Sequence, residues 1–138
     1  MKNAKHQPAE FELQVLGVLW EYGPSTVREV LERLTDGKPR AYTSVLSVMQ
    51  VMQKKGLLAA KRQKDGPANV YSPKKSREQI AGPLMQGLVS RVFAGDPALA
   101  VQQLLTGSNA AAEDVDAIRQ FLDEFEESLP ETGPRKKS

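Results

Sequence analysis

The residues best placed to do chemistry lie in one short run, where Thr43, Ser44, Ser47, Gln50 and Lys54 recur at steps of three and four. On a helix that spacing gathers them on one side, while Val45, Val48, Met49 and Met52 fall on the other. Hydroxyls, an amide and an ammonium suit the edge of a nucleic-acid groove: Gln pairs with adenine, Ser and Thr donate or accept, and Lys reaches phosphate. The alternative is a plain solvated face. Nine basic residues against the single acidic Asp65 between Lys38 and Lys75 favour the groove. Arg40 precedes the run, Lys54 and Lys55 end it, and Lys61, Arg62 and Lys64 follow; all are candidates for phosphate contact. Tyr42 fits either a core position or a phosphate hydrogen bond.

Other chemistries find little material. The chain has no cysteine, which removes disulfides, thiolate metal sites and cysteine nucleophiles together, and its single histidine is His6. There is no glycine-rich phosphate loop and no Ser/His/Asp set, and acidic pairs such as Asp123-Glu124 read as solvated helix surface. No enzyme, metal site or cofactor is expected. No stretch approaches the ~18–20 apolar residues of a membrane span, and Lys2 and Lys5 precede no signal-like apolar run, so a cytoplasmic location is expected.

The elements that must position the reading face are marked by caps and breakers. Phe11, Leu13, Val15, Leu16, Leu19 and Trp20 predict a core-facing helix over 9–22, with Pro8 in its first turn and Tyr22-Gly23-Pro24 as its stop. Thr26 and Glu29 form a capping box for a second helix bearing Val27, Val30, Leu31 and Leu34. A loop over 35–40 leads to a third helix, expected from Ser44 to Lys55, with Thr43 as its cap and Gly56 as its end. Two strands, 57–63 and 69–72, then flank a Gly/Pro tip at 64–68. Three helices and a two-stranded wing make a winged helix-turn-helix in a mainly α chain.

After Pro73 the composition shifts. Ser76 and Gln79 open a helix with Ile80, Leu84, Leu88 and Val92, in which Gly82-Pro83 predicts a kink or a late start. Gly95-Asp96-Pro97 caps a short helix closed by Gly107. A last helix, 110–128, sets Val115, Ile118, Leu122, Phe125 and Leu129 along a narrow seam whose other faces are charged. Such a seam needs cover, either from a second copy of the chain or from the winged helix itself. The expected division is a winged-helix domain over 1–75, a helical dimerisation domain over 76–129 and a disordered tail over 130–138. Charge divides similarly: residues 1–75 carry 13 basic against 7 acidic groups, and residues 76–138 carry 6 against 10. A basic half that meets a polyanion explains this asymmetry, as does chance clustering of surface charge.

The runs Phe11-Glu12-Leu13-Gln14-Val15-Leu16-Gly17-Val18-Leu19-Trp20, Gly23-Pro24-Ser25-Thr26-Val27-Arg28-Glu29-Val30 and Ala41-Tyr42-Thr43-Ser44-Val45-Leu46-Ser47-Val48-Met49-Gln50, with Lys54-Lys55-Gly56-Leu57 and Tyr71-Ser72-Pro73, resemble the penicillinase-repressor family. The resemblance extends over about 8–128. It implies a cytoplasmic homodimer that represses transcription on palindromic double-stranded operators, with Thr43 to Lys55 as the recognition helix; the apolar spacing of the C-terminal helices puts Leu84, Leu88, Val115, Ile118, Leu122 and Phe125 at the expected dimer interface. It also implies relief by a sensor-linked protease cutting at Val92 and Phe93, in a segment where the best-known members carry asparagine in place of Val92. Val51 stands where relatives usually have a basic residue, and Pro67 where many have a wing arginine. Those two departures support an alternative, a winged-helix protein-interaction module without specific DNA binding. Copper sensing through a C-terminal cysteine cluster, as in some relatives, is ruled out by the absence of cysteine.

Overall fold

A computed structural model describes residues 8–130. His6 and the tail beyond Pro130 therefore lie outside the described residues. The elements run α1 (Glu10–Tyr22), α2 (Val27–Arg33), α3 (Tyr42–Lys54), β1 (Leu58–Arg62), β2 (Asn69–Pro73), α4 (Arg77–Val92), α5 (Pro97–Gly107) and α6 (Ala112–Ser128). This is the expected winged helix followed by a helical segment. The chain divides into two compact units between Gln86 and Gly87, inside α4.

The first unit is built around side chains from every element of the winged helix. Val15, Leu16 and Leu19 of α1, Val30 of α2, Val45, Met49 and Met52 of α3, Leu58 of β1 and Tyr71 of β2 are all almost completely buried. Full burial of each large aliphatic side chain contributes about 1.5–3 kcal/mol, so this cluster is the main force holding α3 in place. Gly23 ends α1 at φ +87° and Gly56 follows α3 at φ +85°, a region where a Cβ would strain the backbone. Pro8 precedes the α1 cap, Ala9, and so lies outside the first turn.

The wing is antiparallel, with Leu58 opposite Pro73, Ala60 opposite Tyr71 and Arg62 opposite Asn69. A third extended segment pins it: Ser25 and Tyr71 exchange two backbone hydrogen bonds, of 3.0 and 2.8 Å. The Ser25 hydroxyl, wholly buried, donates to Gly23 O at 2.8 Å and accepts from Arg33 at 3.1 Å. These bonds satisfy polar groups that would otherwise cost about 1–3 kcal/mol each in the interior.

Helix α3 starts earlier than its sequence suggests. Ala41 is the cap, and the amides of Ser44 and Val45 bond back to Ala41 O, so the Thr43 hydroxyl caps nothing. Once past Pro39 the chain is free to turn helical. Of the kink or late start expected at Gly82-Pro83, the late start is absent: the helix begins at Arg77 and runs through Pro83. Gly82 eases this, because a proline ring clashes with both the N–H and the Cβ of the preceding residue, and glycine lacks the Cβ. Ser76 and Gln79 do form the expected reciprocal cap, at 2.9 and 3.1 Å.

The second unit is different in kind. Asp96 caps α5 by accepting from the Ala98 amide at 2.9 Å, yet α5 and α6 bury no residue at all. Val115 and Ile118 are half-buried, whereas Leu122, Phe125 and Leu129 are exposed. Phe121, absent from the predicted seam, is also exposed and stacks on Phe125 with centroids 5.9 Å apart.

Candidate nucleic-acid interface

Core packing decides which side of α3 meets water. With Val45, Met49 and Met52 wholly buried, Thr43, Ser44, Ser47, Gln50, Val51, Gln53 and Lys54 are left exposed. Ser47, Gln50, Val51, Gln53 and Lys54 line an open hollow of about 650 Å³ on the helix surface. The helix therefore presents hydroxyls at its N-terminal end, an amide in the middle and a lysine at its C-terminal end.

The basic residues around this face fall into two groups. Lys54, Lys61, Arg62 and Lys64 are exposed and make no ion pair among the described residues. Lys61 and Arg62 sit at the outer end of β1, and Lys64 follows in the wing turn. Their ammonium and guanidinium groups can neutralise phosphates without reading sequence.

Lys55 and Arg40 are engaged within the protein instead. The Lys55 ammonium bonds the Glu12 carboxylate of α1 at 2.8 Å. Glu12 is only 5% exposed and also accepts from the Ala9 amide at 2.9 Å, so one carboxylate ties the start of α1 to the end of α3. Arg40 bonds Asp36 and lies over the Phe11 ring, 3.9 Å from its centroid. The Arg40 hydrogen bond holds the Asp36 carboxyl below the usual carboxylate range, assisted by the Lys38 amide.

Tyr42 lies at the surface, 38% exposed, outside the buried core. Arg28 of α2 sits over its ring, 5.1 Å from the centroid, a cation at the N-terminal end of the reading face that the sequence reading missed. Arg28 lies outside the basic run that begins at Lys38 and reaches α3 only through tertiary packing. Pro67 is exposed in the wing turn, which carries Lys64 as its cation.

In the second unit, Val92 is 64% exposed and Phe93 half-buried where α4 ends. Ala94 at φ +55° and Gly95 at φ +76° turn the chain out of the helix there. A shallow hollow of about 320 Å³ beside this turn is lined by Val92, Phe93, Leu99 and Gln103 among others. Leu84 is half-buried and Leu88 exposed. Among the described residues there is no cluster of His, Asp and Glu able to hold a metal ion and no helix long and apolar enough to cross a membrane.

A helix-turn-helix whose second helix offers a wet, polar, base-flanked face beside a basic wing defines the winged-helix class of DNA-binding proteins. Within that class, the chain belongs to the penicillinase repressor family, whose model matches residues 8–124. It is 32% identical over 119 residues to the transcriptional regulator BlaI of Mycobacterium tuberculosis strain CDC 1551 / Oshkosh, covering 85% of this chain and 83% of that protein. The same figures hold for BlaI of strain ATCC 25618 / H37Rv. The chain is a transcriptional regulator of this family and not an enzyme.

Proposed function

We propose that the protein represses transcription as a homodimer on palindromic operators. In this reading Thr43, Ser44, Ser47 and Gln50 face base edges in the major groove, and Lys54, Lys61, Arg62 and Lys64 hold the flanking phosphates. The observation that carries it is the exposed polar stripe of α3, left outside by a core that fixes the helix on its other side. A two-fold dimer supports the palindrome, because one protomer per half-site places two α3 helices about one duplex turn, ~34 Å, apart. The unburied apolar faces of α5 and α6 supply the dimer surface, with Val115, Ile118, Leu122 and Phe125 at its centre and Leu84 and Leu88 contributed by α4. Cutting at Val92 and Phe93 by a sensor-linked protease would separate α5 and α6, with the centre of that surface, from the DNA-reading unit and so relieve repression.

Two substitutions test the assignment of roles. Gln50→Ala should lower affinity for a selected operator while leaving random duplex nearly unaffected, a loss of discrimination of about 1–3 kcal/mol. Lys54→Ala should weaken both duplexes alike and reduce the salt slope by about one. Equal effects of the two on specific and random DNA would remove the base-reading assignment. Absent or salt-insensitive binding to any duplex would instead favour the interaction module.

A further inference from the structure

One side chain on the reading stripe has no hydrogen-bonding capacity. Ser47, Val51 and Lys54 follow one another at steps of four and three along α3, so Val51 lies on the exposed face, on the flank that it shares with Ser44. It is 46% exposed and shares the open hollow with Ser47, Gln50, Gln53 and Lys54. The buried side of α3 is already complete without it, as Val45, Met49 and Met52 are wholly buried. Valine is also a mediocre helix former, so local propensity gives no reason for it at a wet position.

A helix lying in the major groove brings the residues of its exposed face, flanks included, to base edges and their methyl groups. Among the groups displayed there, only the C5-methyl of thymine is apolar; the rest are hydrogen-bond donors and acceptors. A valine on that face can neither pair with a base edge nor hold a phosphate, but its two γ-methyl groups can exclude water from a thymine methyl. We propose that Val51 is a specificity-determining residue that reads thymine through its C5-methyl group. This rests on the groove-reading role proposed for α3, and it gives the exposed valine a positive function in place of a lost phosphate contact.

The test uses the full chain and a duplex recovered by selection from a random-sequence library. Each thymine in turn is replaced by deoxyuridine, which removes the methyl and keeps the pairing. The wild-type protein should lose about fourfold in affinity at a symmetry-related pair of positions, the worth of one buried methyl. Val51→Ser should bind thymine and deoxyuridine duplexes equally at those positions, and Val51→Thr, which keeps one γ-methyl, should restore part of the difference. Since Val51 is outside the core, unchanged thermal melting of both variants checks that the fold is intact. A wild-type protein indifferent to every deoxyuridine, or a penalty that persists in Val51→Ser, overturns the inference while salt-dependent selective binding leaves the groove-reading role standing. Failure of the selection to enrich any sequence would overturn both.

Discussion

At the scale of single residues, the pairing of Lys55 with Glu12 separates two jobs that positive charge can do. A cation aimed at phosphate gives affinity that falls with salt; a cation bonded to a buried carboxylate gives geometry. Lys55→Met should destabilise the fold by about 1–3 kcal/mol, because the Glu12 carboxylate would remain buried without its partner. The salt slope of operator binding should stay unchanged in that variant, unlike in Lys54→Ala. A slope reduced by about one, measured by anisotropy at several salt concentrations, would mean that Lys55 leaves Glu12 to meet DNA. Arg28 is open to the same measurement. Arg28→Ala should weaken operator and random duplex alike, since a cation over Tyr42 at the end of α3 is placed for a phosphate and not for a base.

Elements are held by caps and by the loop that feeds the recognition helix. Thr26 caps α2 by accepting from the Glu29 amide at 3.2 Å, while the Glu29 carboxylate accepts from the Thr26 amide at 2.9 Å. Thr26→Ala should cost about 1 kcal/mol, seen as a fall of about 4–8 °C in melting temperature for a unit of this size. The loop before α3 is tied by Asp36 and Arg40, and its contribution depends on pH. Because the native Asp36 carboxyl titrates below its ordinary value of 3.8, its stabilising effect is fully present above that value. It is lost as pH falls through the lowered native value. Melting temperatures of the wild type and Asp36→Asn should therefore differ at neutral pH and converge in acid; a difference that grows in acid would contradict the pairing.

For the molecule as a whole, the contrast between the two units is the main fact. The winged helix has a continuous core from α1 to β2, whereas α5 and α6 leave Leu104, Phe121, Leu122 and Phe125 in water. Exposed apolar patches of that kind mark interaction surfaces. On the proposed homodimer, Leu122→Asp or Phe125→Asp should yield monomers by light scattering and reduce operator affinity steeply, since each proposed half-site would then be bound alone. An unchanged dimer would place the interface on other residues.

Much of this was legible along the chain. Three helices, the wing, the Thr26 and Ser76 boxes and the polar side of α3 follow from the spacing of apolar residues and from local cap chemistry, both of which act within a few residues. Partners remote in sequence were not legible: Glu12 with Lys55, Ser25 with Tyr71, Arg28 with Tyr42. Thr43 has the chemistry of a cap yet caps nothing, because Ala41 takes that place where the core turns the helix. Periodicity encodes which residues are apolar and how they recur, whereas the choice of neighbour belongs to the packed chain, because only there do groups distant in sequence share a solvent-poor space in which each must find its partner.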